Sequence, residues 1–557
     1  MTATEFRCGS CGAELPPDSG FCNKCDAPVT QVSRSAEYQQ VTVPSVRKAI
    51  AVGIVLLILA AASSCGYAAH TAVRDSAQAT PAPVAVPATT LAPDSAPAPA
   101  SPASDAAPAP DFATVSKLMN DAIAARTVPG GVVVIGHGGK VVFHQAYGSR
   151  KLAGEPGLDG SPAPAEPMTE DTIFDMASLT KCLATATAVM QLYEHGKVQF
   201  DAPVQKYLPD FNTGNDPQRA KVTVRMLLTH TSGEPEDVRL NDPWGLDRAD
   251  KREGILRALT TPLQSPPGGF FSYADINFIL LGALIEKVTG EPEDVYVQQN
   301  VFGPLGMEAT GYLPPAKACG PHVMRGAAIA WAPAPLGGMP GDCPAGTWST
   351  TLLSRIAPTA HDDESKNDPG KNPDFDFLLR GVVFDATARR LGGVAGHAGV
   401  FSTAHDVSLY AQALLDRLAG RPSRFPLKQA TLELMTTPEQ PGHTAQQVEA
   451  ANNAARDAIA KTPNTEDPLL APHYPAIRGL NLRGFGWDID TAYSGTRGMI
   501  FPIGSFGHTG FTGTSMWMDP RSDTYVILLT SAIDPRGDPP IAYLRGDVAT
   551  ATARALR

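Results

Sequence analysis

Hydrophobic and polar positions divide the 557 residues into distinct stretches. From Ala49 to Ala69 no charged side chain occurs, in AIAVGIVLLILAAASSCGYAA. A helix of that length covers about 30 Å of hydrocarbon, which predicts one membrane-crossing helix over 49–69. Residues 70–111 are nearly all Ala, Pro, Ser and Thr. That composition has no apolar set for a core and predicts a disordered, semi-extended linker. From residue 112 to 557 the pattern is that of a folded unit. Val132–Ile135 and Val141–Phe143 flank His137-Gly138-Gly139-Lys140, which predicts a hairpin. Thr514–Met518 and Tyr525–Leu529 predict another around Asp519–Asp523. Between them, Leu179, Leu183, Ala186, Met190 and Tyr193 recur at helical spacing, and a second apolar helix starts near Ile276. Strands at both ends with helices between predict an α+β fold whose antiparallel sheet uses both termini. Lys317–Asp376 and Glu439–Leu470 read as insertions, the second helical in its middle.

Charge and cysteine placement add compartments to this layout. The net charge of −11 argues against a protein held on nucleic acid by phosphate contacts. Arg47 and Lys48 precede the apolar stretch, whereas the linker carries only Arg74 as a basic residue. The positive side stays inside, so residues 31–48 form a cytoplasmic juxtamembrane segment and 112–557 lies outside, periplasmic or extracellular. Cys8, Cys11, Cys22 and Cys25 are spaced C-x2-C-x10-C-x2-C. Two such knuckles offer four thiolates to one tetrahedral ion, which predicts a structural zinc ribbon over 1–30 rather than a redox pair or two disulfides. The ribbon could dock a protein partner. Cys65 falls in the membrane stretch. Outside it, Cys319 and Cys343 could pair as a disulfide, and Cys182 reads as a small buried apolar residue.

Three motifs carry candidate chemistry. Ser178-Leu179-Thr180-Lys181 opens the first helix, and positions i and i+3 share a helix face. Lys181 thus stands one turn above Ser178, where a desolvated amine could take the serine proton. Tyr273-Ala274-Asp275 opens the second long helix, and Tyr273 could relay a proton if a nearby lysine lowered its pKa. His508-Thr509-Gly510-Phe511-Thr512-Gly513 lies next to the last strands, with glycines that permit close backbone approach to a ligand. His230 and His397 read as structural hydrogen-bonders beside the cleft. No Gly-x-Ser-x-Gly elbow and no H-E-x-x-H occurs, which removes the α/β-hydrolase and zincin readings.

Taken together, SLTK, YAD and HTG resemble the SxxK, Tyr-x-Asn/Asp and Lys/His-Thr-Gly elements of penicillin-recognising serine hydrolases. The chain is similar to the class C β-lactamase-like branch, which includes D-alanyl-D-alanine carboxypeptidases, D-aminopeptidases and family VIII esterases. VRMLLTHTSG, LGGVAGHAGVFSTAHDV and FGWDID extend the resemblance over about residues 115 to 550. It implies a β-lactamase-like fold, an antiparallel sheet flanked by helices plus a helical subdomain. It implies Ser178 as the acyl-accepting nucleophile, Lys181 as its base or electrostatic activator, and Tyr273 as second proton carrier. It implies an oxyanion hole from the N–H groups of Ser178 and Phe511, substrate contacts at Asp275, His508, Thr509, Gly510 and Phe511, and no catalytic cofactor. Two positions depart from the family pattern. Asp275 stands where many relatives have Asn, and His508 replaces the commoner Lys, which weakens a fixed cation for a substrate carboxylate. D-aminopeptidase, amidase or esterase chemistry on cell-wall-derived peptides or small esters stays open. The competing reading is a penicillin-binding sensor with little turnover.

Overall fold

In the computed structural model the described residues are 6–7, 14–15, 109–325, 328–330, 343–439, 449–450, 452–454, 457, 481–533 and 541–557. The chain divides after Pro108 into two units. In the first, Phe6–Arg7 pairs antiparallel with Glu14–Leu15. The four ribbon cysteines, the 49–69 stretch and the linker up to Pro108 lie outside the described residues. Among the described residues no helix is long and apolar enough to cross a membrane.

The second unit, Ala109–Arg557, is built on an eight-stranded antiparallel sheet. Its strands are β1 (Gly130–His137), β2 (Lys140–Lys151), β3 (Glu166–Pro167), then, after a small separate sheet, the C-terminal set. That small sheet pairs β4 (Ile173–Asp175) and β5 (Gly311–Tyr312) on either side of β6 (Val400–Thr403). The C-terminal set is β7 (Leu482–Arg483), β8 (Asp488–Asp490), β9 (Phe506–Thr509), β10 (Ser515–Asp519) and β11 (Thr524–Thr530), giving the order β7-β8-β9-β10-β11-β1-β2-β3. Both predicted hairpins form. The first turns on Gly138 and Gly139, both at positive φ, the combination a tight two-residue connection needs. The last strand joins the first, Thr524 opposite His137 through Thr530 opposite Gly131.

Alternation along β1 decides which layer each side chain enters. Val133 and Ile135 pack with Val115, Met119, Trp517, Leu544 and Val548, against α1 (Ala113–Ala124) and the C-terminal helix Ile541–Ala555. Val132 and Val134 face the larger core. There the helical part assembles: α2 (Thr187–Glu194), α3 (Val224–Leu228), α4 (Lys251–Thr260) and α5 (Asp275–Thr289), contributing Val189, Leu227, Leu259, Leu280 and Leu284. Two later helices, α6 (Ala386–Arg390) and α7 (Ala404–Leu418), flank β6. Cys319 and Cys343 are joined as a disulfide within the first insertion. The described residues of the second insertion at 449–450, 452–454 and 457 are helical.

Candidate active site

Ser178 sits between β4 and a helix that turns π within its first residues. Ala177 has φ +45°, a left-handed conformation that strains a residue with a Cβ. Asp175 holds it there: its Oδ1 accepts the Ala177 N–H at 2.9 Å and its Oδ2 the Phe384 N–H at 2.7 Å. Burial pushes the Asp175 carboxyl up to about 6, against the pull of those two N–H groups. Three i→i−3 bonds follow, Leu179 to Met176, Thr180 to Ala177 and Lys181 to Ser178. Residues i and i+3 eclipse in such a 3₁₀ turn. Lys181 stands one turn above Ser178, as the three-residue spacing predicts, with Nζ donating to Oγ at 2.9 Å. The chain then widens into a π-helix, Lys181–Ala186, before α2.

Lys181 is fully buried and its ammonium meets three acceptors. Besides Ser178 Oγ, these are the His397 carbonyl at 3.1 Å and Asp275 Oδ1 at 2.7 Å. The first two are hydrogen bonds and the third is an ion pair. Of the two roles the sequence leaves open for Lys181, base or electrostatic activator, these surroundings favour the charged form. Desolvation does favour the neutral amine, but the Asp275 charge, helped by Tyr273, outweighs it and raises the lysine pKa. Tyr273 is likewise displaced upward, chiefly by burial, although Lys181 and Ser178 pull the other way. Both groups therefore hold their protons at rest. Asp275 owes its place to the first turn of α5, where its N–H donates to the Glu236 carbonyl at 2.6 Å.

His230, read from the sequence as structural, is the platform under Tyr273. The rings stack 4.4 Å apart at 23°. Its Nδ1 accepts the Ala274 N–H at 3.1 Å, fixing the entry to α5. On the opposite wall, Gly510 packs against the Met176 carbonyl, where a Cβ would collide. Thr512 Oγ1 donates to the Asp175 carbonyl at 2.8 Å and Thr514 Oγ1 to the Met176 carbonyl at 3.1 Å. These contacts bind the His-Thr-Gly segment to the strand that carries the nucleophile. Among the described residues the N–H groups of Ser178 and Phe511 have no acceptor, as an oxyanion hole requires. The Phe511 side chain is 76% exposed and stacks on Phe384 at 5.9 Å.

His508 is buried and donates from Nδ1 to the Thr509 carbonyl at 2.7 Å. Its pKa is driven well below the ordinary value, first by desolvation and then by Arg483 and Lys181. The imidazole is neutral, with its proton on Nδ1 and an acceptor at Nε2. Thr509 is partly exposed at the end of β9.

The structure adds residues that the motifs do not contain. Asp385 accepts His397 Nε2 at 2.8 Å, and Thr387 donates to Asp237 at 2.7 Å. Asp275, Asp385 and His397 each bring one potential ligand atom within 4.8 Å of the others. The cation already among them is the Lys181 ammonium. Asp385 and Asp237 lie in FDATARR and GEPED, where spacing alone gives no sign of a shared pocket.

A nucleophile on a tight helical turn, a buried lysine, a tyrosine and two free N–H groups define an acyl-transferring serine hydrolase. The β-lactamase family model matches residues 115–550, and the chain belongs to that family. It is a serine hydrolase of the β-lactamase, D,D-peptidase and esterase class. An Escherichia coli K12 protein named as a D-alanyl-D-alanine carboxypeptidase is 27% identical over 417 residues, covering 72% of this chain and 79% of that one. The N-acetylmuramyl-L-alanine amidase of Bacillus subtilis is 28% identical over 445 residues, covering 76% and 83%. The fold is shared with the penicillin-binding protein homologue of Pyrococcus abyssi, at TM-score 0.50 and 19% identity over 80% of this chain and 77% of that one. It is shared too with simvastatin synthase of Aspergillus terreus, at TM-score 0.51 and 20% identity over 80% and 98%.

Proposed function

We propose that the chain is a membrane-anchored hydrolase that cleaves amide, peptide or ester bonds through an acyl-enzyme at Ser178, outside the cytoplasmic membrane. The observation that carries this reading is the line from Ser178 Oγ to Lys181 Nζ at 2.9 Å and on to Asp275 Oδ1 at 2.7 Å. Ser178 Oγ attacks the substrate carbonyl. Its proton passes to Lys181 as Lys181 passes one to the Asp275 carboxylate, so the lysine stays charged and Asp275 becomes neutral. The N–H groups of Ser178 and Phe511 receive the developing oxyanion. Tyr273, protonated at rest, gives its proton to the departing amine or alkoxide. The water that cleaves the acyl-enzyme returns one to the phenolate, and Asp275 returns the other to Ser178 through Lys181.

The neutral His508 offers a hydrogen-bond acceptor and no charge for a terminal carboxylate. That favours amides and esters without a free carboxylate at this subsite. The names of two relatives, a D-alanyl-D-alanine carboxypeptidase and an N-acetylmuramyl-L-alanine amidase, favour cell-wall-derived peptides among them. Anchoring is supported by the charge-free stretch 49–69 behind Arg47 and Lys48. An outward-facing hydrolase is supported by the Cys319–Cys343 disulfide, which suits an oxidising compartment. The ribbon, holding Zn through Cys8, Cys11, Cys22 and Cys25, is supported by their spacing and by the Phe6–Arg7 and Glu14–Leu15 ladder, whose strands bracket Cys8 and Cys11 in sequence.

The test is turnover of a chromogenic ester and labelling by a fluorescent penicillin, followed by intact-protein mass. Ester turnover that falls roughly 10⁴-fold in Ser178→Ala is the expected result. Absence of both turnover and adduct, or a Ser178→Ala protein as active as the parent, overturns it. A stable penicillin adduct without ester turnover points to the sensor.

A further inference from the structure

Behind Lys181 lies a second pair of charges for which the acyl-transfer steps have no use. His397 is 1% exposed, and its Nε2 meets Asp385 Oδ1 at 2.8 Å. The same oxygen accepts the Ala388 N–H at 2.7 Å and so caps α6. That helix is itself fixed, because Arg389 bonds Asp362 at 3.0 Å and Glu364 at 2.9 Å. From this anchor the chain runs through Gly396, which lies so close to the α5 backbone at Phe278 that any Cβ would collide. The Gly396 carbonyl lies 2.7 Å from Thr185 Oγ1, and the next carbonyl, that of His397, accepts from Lys181 at 3.1 Å.

We propose that Asp385 and His397 act as a positioning pair for Lys181. Asp385 anchors the imidazole, the imidazole orients its own main-chain carbonyl, and that carbonyl fixes one of the three ammonium protons. The ammonium is thereby held against Ser178 Oγ and the Asp275 carboxylate. The proposal rests on the reading of Ser178 and Lys181 given above.

The charges around the pair agree with this role. Asp275 and Lys181 face the imidazole from α5 and the serine turn, Asp385 from the head of α6, and Glu293 from the segment after α5. Asp237 faces Asp385 and His397 from the loop after His230. Burial pushes the His397 pKa down, but Asp385 more than offsets it, so the ring carries a proton above the ordinary histidine range. Asp237 and Glu293, both pushed up to about 7 by burial, are only partly ionised at neutral pH. Lys181 with Asp275 and His397 with Asp385 then form two balanced pairs side by side.

The experiment uses the full chain, with Asp385→Asn, His397→Gln, the double variant and Asp385→Glu. Competent Ser178 is counted by fluorophosphonate labelling. Asp385→Asn keeps an oxygen for the Ala388 N–H but removes the charge that holds the imidazolium. Its kcat per labelled serine is expected to fall 10- to 100-fold with KM within about threefold. A new inflection is expected in kcat between about pH 5 and 7, where the released His397 titrates. Asp385→Glu should recover most of the loss, and the double variant should be no worse than the poorer single. Asp406→Asn, which loosens only the contacts to Ala309 and Thr310, is the structural control: a lower Tm with an unchanged kcat per labelled serine. Wild-type kcat in Asp385→Asn, a loss explained wholly by fewer labelled serines, or additive singles each overturn the proposal. A Ser178→Ala chain that still turns over overturns the hydrolase reading as well. Loss in Ser178→Ala with a silent Asp385→Asn overturns this proposal alone.

Discussion

Lys181 shows how far a motif carries at the scale of one residue. Its pairing with Ser178 follows from a three-residue spacing, but its charge does not. That depends on desolvation competing with a carboxylate 2.7 Å away, supplied by a helix distant in sequence. Asp275→Asn should therefore change mechanism as well as rate. Turnover at pH 7 is expected to fall about 100-fold, the usual order for a lost proton carrier. It should recover as pH rises, because the neutral amide no longer raises the lysine pKa while burial still lowers it. The free amine can then take the serine proton itself. A kcat profile from pH 6 to 10 checks this; parallel profiles for parent and variant would refute it. His508 was legible in the same partial way. The motif marks the position, and burial first, then Arg483 and Lys181, drive the ring's pKa well below the ordinary value.

At the scale of elements, the serine turn is the informative case. Its apolar spacing reads as one regular helix, yet after Leu179–Thr180 the chain widens to a π-helix over Lys181–Ala186 before α2. Thr187 Oγ1 donates back to the Cys182 carbonyl at 2.9 Å at this wider stage. Thr185 Oγ1 lies 2.7 Å from both the Gly396 carbonyl and Glu293 Oε1. A hydroxyl has one proton, and the carbonyl can only accept it. The Glu293 contact then needs a carboxyl that donates, which fits a pKa pushed up from 4.5 to about 7 by burial. The sign follows from proton counts. Between about pH 4.5 and 7 the folded state holds a proton that the unfolded state has released, so stability falls as pH rises. The loss is roughly 3 kcal/mol across that window. Glu293→Gln should raise Tm at pH 8 and leave it nearly unchanged at pH 4.5. Equal shifts at both values would show that Glu293 is not held neutral.

For the whole molecule, the unit Ala109–Arg557 contains every residue of the site. A chain starting at residue 109 should keep kcat and KM on a soluble ester within about twofold. The full chain should sediment with membranes and the truncated one should not. Treating the full chain with a metal chelator is expected to leave hydrolysis unchanged. Membrane sedimentation by the truncated chain would remove the role given to 49–69.

The local code was enough for the hairpins, the apolar helices and the order of SLTK, YAD and HTG, because turn glycines, residue periodicity and short motifs act over a few positions. The junction of β11 with β1 was foreseeable only as strands at both ends, and its register came from the pleat matching two apolar faces. Asp175, Asp385 and Asp237 belong to the site because the strand, α6 and the loop after His230 converge there. Nothing in their own neighbourhood in the sequence distinguishes them from surface acids. The strained φ of Ala177, the charge of Lys181 and the lowered pKa of His508 have the same origin. They are settled by burial and by charges that meet only after the chain has folded.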